Sequence, residues 1–128
     1  VREMSDNQIV NTNHFLTSQM QHYEIPHNAV YSGKVPKEML GVIVHQSSEV
    51  RLKRAQELLK RKSKIDEGTI VKVLRDHGAE NKPSMLTICR HAEFASTLRS
   101  VMFNLNEKTI KVVHGNPCQN EYAEFAFS

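Results

Sequence analysis

Cysteine is scarce in this sequence: Cys89 and Cys118 are the only two in 128 residues. Two thiols cannot build a disulfide framework and they lack the paired spacing of a zinc site, so reduced thiols are expected. Glycine (5) and proline (4) are also few, which excludes a collagen-like or linker composition. No stretch approaches the roughly 18 apolar residues of a membrane span, and Val1 to Asn13 carry no apolar core of signal-peptide length. No aromatic residue lies between Tyr31 and Phe94, so that region has no stacking platform for single-stranded nucleic acid. HExxH and GxSxG are both missing, as are internal repeats and low-complexity segments.

With 39% hydrophobic and 24% charged residues, the chain reads as one soluble domain over residues 1–128, expected in the cytoplasm. A chain of this size buries about two-thirds of its unfolded surface, enough for one core but hardly for a large layered enzyme. The formal charge is +3, and seven basic residues (Arg51, Lys53, Arg54, Lys60, Arg61, Lys62, Lys64) fall within fourteen positions. Glu49, Glu57, Asp66 and Glu67 flank or interrupt them, the pattern of a solvated helix face, so neither nucleic acid nor a membrane is expected as a partner.

Asp6-Asn7 reads as a turn and QIVNTN (8–13) as a short strand. From His14 to Pro36 the residues show no sustained period. A long loop with one helical turn is expected there, a candidate wall or lid of a site. Met39 to Val44 reads as a buried strand or as a turn into the next element. A helix follows, capped by Ser47 or Ser48 and running to about Lys62. At 100° per residue, Leu52, Leu58 and Leu59 fall within about 60° of Ala55. Arg51 falls inside the same arc, so it must either snorkel out or be held by buried acceptors. Asp66 caps a second helix, roughly Glu67 to Asp76, stapled by Ile65 and ended by Gly78. The C-terminal third is β: 100–105 and 110–112 form a hairpin across Asn106-Glu107-Lys108, and 122–127 form a third strand.

Seven histidines (14, 22, 27, 45, 77, 91 and 114) raise the question of a metal, but no helical pair has ligand spacing, so no metal site is expected. Asp76-His77 is explained by the negative end of a helix. Cys118, in the Gly115-Asn116-Pro117-Cys118 turn with His114 four residues upstream, has the elements of a thiol nucleophile; a small buried hydrophobe is the commoner use of cysteine.

Thr12-Asn13-His14-Phe15-Leu16, Ser47-Ser48 leading to Arg51 and Arg54, Ile88-Cys89-Arg90-His91, Thr97-Leu98, and Gly115-Asn116-Pro117-Cys118 with Asn120-Glu121-Tyr122 occur here in that order. This set, across about residues 8 to 127, resembles the C-terminal half of the acyl-coenzyme A:6-aminopenicillanic acid acyltransferase family. Those proteins are N-terminal nucleophile hydrolases related to choloylglycine hydrolase and penicillin V acylase. The resemblance implies an α+β fold, the C-terminal part of an αββα sandwich with an antiparallel sheet and helices on one face. It implies linear-amide hydrolysis or acyl transfer by an N-terminal cysteine, with no cofactor. Asn13 would donate to the oxyanion and Arg51 would support the thiolate. No cysteine stands at position 1, and the Arg and Asp that follow the family's nucleophile have no counterpart. The chain therefore reads as a portion of a longer enzyme, or a separately encoded half needing a partner chain. The partners implied are an amide or acyl small molecule and, through open sheet faces, further copies of the chain. The alternative is a non-catalytic, self-associating interaction domain with the same partial fold.

Overall fold

The structure, a computed structural model, describes residues 8–60, 62 and 64–128. It comprises two compact units, Val1–Lys60 and Arg61–Ser128. The Asp6-Asn7 turn and Arg61 of the basic cluster lie outside the described residues.

The first unit holds α1 (Ser18–Gln21), a 3-10 turn at Lys37–Met39 and α2 (Gln46–Leu59). Residues 9–13 form no strand, contrary to the alternation of their sequence. The Asn13 amide is bonded to the Ser48 hydroxyl instead of to a neighbouring strand. Residues 39–44 make a turn into α2, with Val30 and Ile43 forming an isolated antiparallel bridge. This pins the long 14–36 segment: Tyr31 N–H donates to Val42 C=O at 2.9 Å and Val44 N–H to Ala29 C=O at 2.9 Å.

α2 begins one residue before the expected cap. His45 occupies the N-cap without a side-chain bond to the helix N–H groups, and Lys60 leaves helical geometry at ψ 135°, so the helix ends before Lys62. Ser48, Leu52, Ala55 and Leu59 are its buried residues, a stripe at spacings of four, three and four that places one face on the core.

The second unit contains α3 (Glu67–Leu74) and an antiparallel sheet of β1 (Arg99–Asn104), β2 (Thr109–His114) and β3 (Ala123–Ala126) in the order β1-β2-β3. This makes the chain α+β, consistent with part of a sandwich. Asp66 caps α3 as expected, its Oδ1 accepting from Thr69 N–H at 2.8 Å and from Thr69 Oγ1 at 2.7 Å. The helix stops two residues short of Asp76, and Gly78 turns the chain away at φ +82°.

The register pairs Val101 with Val112, Phe103 with Ile110, Ile110 with Phe125 and Val112 with Ala123. Residues directly opposite share a face, so these six side chains form an apolar patch on one side of the sheet, bordered on that side by Arg99 and His114. That side is open: Val101 is 45% exposed, Phe103 64% and Phe125 58%. The opposite face carries Ser100, Met102, Lys111 and the buried Val113, with Lys111 bridging Glu67 of α3 and Glu124 of β3. Both carboxylates raise the Lys111 pKa above its ordinary value.

Replacing Asp66 by Ala should lower unfolding stability through loss of the N-cap, while Asp66→Asn retains most of it. Urea midpoints at constant slope measure the difference.

Candidate functional site

The Thr12-Asn13-His14 segment has neither helix nor ladder of its own, so its polar groups must find partners elsewhere. α2 supplies them through Ser48. The Thr12 hydroxyl donates to Ser48 C=O at 2.9 Å, the Ser48 hydroxyl donates to Thr12 Oγ1 at 3.0 Å, and Asn13 N–H donates to Ser48 Oγ at 2.8 Å. His14 Nδ1 lies 2.7 Å from Ser48 Oγ. His14 Nδ1 also lies 3.3 Å from Thr12 Oγ1, so the imidazole joins both hydroxyls of this cluster.

Arg51 lies on α2 one turn after Ser47. Its Nε donates to Ser47 C=O at 3.0 Å and to Ser47 Oγ at 3.3 Å, and its Nη2 donates to Asn13 Oδ1 at 2.7 Å. Of the two fates open to an arginine in the apolar arc, half-burial with side-chain and backbone acceptors is the one adopted. Asn13 and Arg51 are therefore in direct contact. The guanidinium can only donate, so it binds the carbonyl end of the Asn13 amide and leaves Nδ2–H facing away. Asn13 is exposed, and among the described residues its Nδ2 meets no acceptor. An oriented N–H donor beside a fixed cation is an arrangement that can stabilise developing negative charge.

The surrounding groups are polar and ordered. Glu24 accepts from Phe15 N–H and from Ile25 N–H at 3.3 Å; the Phe15 bond is the main cause holding its carboxyl below the usual range. His45, 4% exposed, donates from Nε2 to Ile25 C=O at 2.8 Å. His27 Nδ1 pairs with Glu49 at 2.9 Å on the surface, and His22 stacks on Tyr23.

In the second unit, the imidazole beside Cys118 is His91, with Nε2 at 3.1 Å from Sγ. His114 instead ends β2, exposed and paired with Arg99. Burial, then the thiol contact with Cys89, pushes the Cys118 pKa up. An acyl-transfer nucleophile needs the opposite shift. Cys89 is fully buried. His77 Nε2 lies 3.2 Å from His91 Nε2, so two histidines and both cysteines meet in this unit. Helical spacing could not reveal this meeting; the only local signal was the Cys89-x-His91 pair.

A sheet with one open apolar face and the other tied to a helix has the layout of part of a sandwich fold. The family is more specific: the family model for acyl-coenzyme A:6-aminopenicillanic acid acyl-transferase matches residues 1–119, and the chain belongs to that family. No curated protein and no solved structure matches it significantly. Among the described residues, no helix is long and apolar enough to cross a membrane.

Burial is the largest influence on His14 and lowers its pKa. The unfolded state therefore binds the proton more readily, and stability should fall as pH drops below the unfolded value of about 6.5. Thermal midpoints between pH 7.5 and 5.5 should decline in the parent chain and decline less in His14→Gln.

Proposed function

We propose that this chain is the part of a linear-amide hydrolase or acyltransferase that presents Asn13 and Arg51 to an acyl-transfer site. The carrying observation is the Arg51 Nη2 to Asn13 Oδ1 bond at 2.7 Å, which orients Asn13 Nδ2–H outward. The nucleophile in this reading is an N-terminal cysteine and neither Cys89, which is sealed from solvent, nor Cys118, whose pKa is raised. Its thiolate attacks the amide carbonyl, and the carbonyl electron pair moves onto oxygen. Asn13 Nδ2–H donates to that oxyanion. Collapse expels the amine, which takes a proton, and leaves a thioester. Water or a second amine then accepts the acyl group and regenerates the thiol. Arg51 positions Asn13 and adds positive potential. A cytoplasmic setting suits two unbridged cysteines.

The chain alone should not turn over a panel of linear amides that includes penicillin V. In the enzyme formed with a cysteine-bearing N-terminal segment, Asn13→Ala should lower kcat about 10²- to 10³-fold, the effect of losing one oxyanion donor. KM should change far less. Arg51→Lys keeps the charge but not the planar fork, and should lower kcat by a smaller factor. Cysteine-dependent turnover by the isolated chain, or an Asn13→Ala enzyme of undiminished kcat, contradicts the proposal.

A second reading has its own support in the open face of Val101, Phe103 and Phe125: a non-catalytic domain that self-associates through the sheet. Sedimentation at rising concentration should show a dimer that Phe103→Lys disrupts. A monodisperse monomer throughout removes this reading.

A further inference from the structure

We infer that His77, Cys89, His91 and Cys118 form a structural binding site for one zinc ion. Each residue presents one ligand atom, and all four atoms lie within 4.8 Å of one another. Three chain segments deliver them. His77 lies just beyond the end of α3, Cys89 and His91 sit on an irregular stretch before β1, and Cys118 occupies the turn after β2.

Those segments are fixed by bonds that do not involve the four side chains. Cys89 N–H donates to Asp76 C=O at 3.0 Å, and His91 N–H to Ser84 C=O at 3.1 Å. Asn116 Nδ2 donates to Arg90 C=O at 2.6 Å, joining the turn after β2 to the stretch that carries Cys89 and His91. Gly115 enters the turn at φ +80°, where an added Cβ would stand 3.2 Å from Asn120 Nδ2. Asn120 in turn closes the turn by donating to Asn116 C=O at 3.0 Å. The turn thus needs a residue without a side chain at 115 to place Cys118.

Hydrogen bonding cannot serve every contact in this cluster. His91 Nε2 is 3.2 Å from His77 Nε2, 3.4 Å from Cys89 Sγ and 3.1 Å from Cys118 Sγ, while the two sulfurs are 3.5 Å apart. One ring nitrogen either donates one bond or accepts one, so only one of the three contacts at His91 Nε2 can be a hydrogen bond. A cation at the centre serves all four lone pairs at once. For zinc, with bonds of about 2.3 Å to sulfur and about 2.0 Å to nitrogen, a tetrahedron has edges of about 3.8 Å between sulfurs, about 3.3 Å between nitrogens and about 3.5 Å between unlike atoms. The three contacts of His91 Nε2 and the one between the sulfurs lie within about half an ångström of these edges, and His77 Nε2 is within 4.8 Å of both sulfurs, so the four side chains can close on zinc by moving inward.

The chemistry of the set selects the ion. Two thiolates and two imidazoles in a tetrahedral arrangement suit zinc and are too soft for magnesium or calcium. Four protein ligands leave no position for water, which makes the site structural. Asn116 Nδ2 approaches Cys89 Sγ at 3.8 Å, the kind of outer contact that steadies a zinc thiolate. Bound zinc would clamp the end of α3 to the exit of β2.

Elemental analysis of the full chain purified under reducing conditions with zinc should find one zinc per chain. After chelation, cobalt(II) should give the intense visible bands of a tetrahedral ion and a thiolate charge-transfer band in the near ultraviolet, both bleached by zinc. Cys118→Ser and His77→Gln should each weaken cobalt affinity by more than the roughly 10- to 100-fold typical of an outer-contact change, and His114→Gln should leave it intact. If the ligand variants do not fold, the parent chain carries the test: zinc must raise its thermal midpoint and magnesium must not. A folded, reduced chain that takes up no zinc overturns the inference. So do a pale octahedral cobalt spectrum without charge transfer, and a Cys89–Cys118 disulfide that persists with zinc and reductant present.

Discussion

Within residues 8–60 the hydroxyl of Ser48 is the constraint on which the other placements depend. It is the polar member of α2's buried stripe; it accepts from the Asn13 amide, donates to Thr12 Oγ1 and lies 2.7 Å from the His14 imidazole. A buried hydroxyl is tolerated only when its hydrogen bonds are made, and here the partners come from a segment that otherwise has no regular structure. That single group therefore replaces a strand ladder. It also explains why neither candidate serine caps α2: Ser48 is committed to residues 12–14 and Ser47 to Arg51.

The Asn13–Arg51 contact follows from this lattice. With the 12–14 backbone held at Ser48, the next turn of α2 brings Arg51 within reach of the Asn13 amide. The guanidinium recognises oxygen and not nitrogen, so amide orientation is set by charge chemistry instead of by packing. A preoriented donor has no reorganisation to undergo when negative charge develops, which is why such an arrangement suits acyl transfer.

The second unit solves a different problem. Its sheet places Val101, Phe103, Ile110, Val112, Ala123 and Phe125 on one face, yet Lys111, which is ion-paired to Glu67 of α3, is on the other. Its largest fully buried side chains are Cys89, Val113 and Pro117, compact groups gathered where the β2 exit meets the preceding irregular stretch. So few large apolar side chains leave much of the local order to hydrogen bonds through Thr87, Asn116 and Asn120, and to the cysteine and histidine cluster.

Local rules were enough to read the regular elements. The Asp66 cap, the stripe along α2, the β1–β2 hairpin and the third strand each depend on residues close in sequence, so spacing and cap chemistry reveal them. The ordered motifs likewise carried the family, which the match over residues 1–119 establishes. Apolar alternation could not say which sheet face would be covered, because alternation fixes sidedness and not the neighbour. It also misread residues 8–13, whose bonding partner lies thirty-five residues away on a helix. Periodicity singled out Arg51 as unusual, but only tertiary structure supplied Asn13 as its acceptor. The meeting of His77, Cys89, His91 and Cys118 was likewise decided in three dimensions, since loops and turns bring together side chains whose sequence separations follow no period.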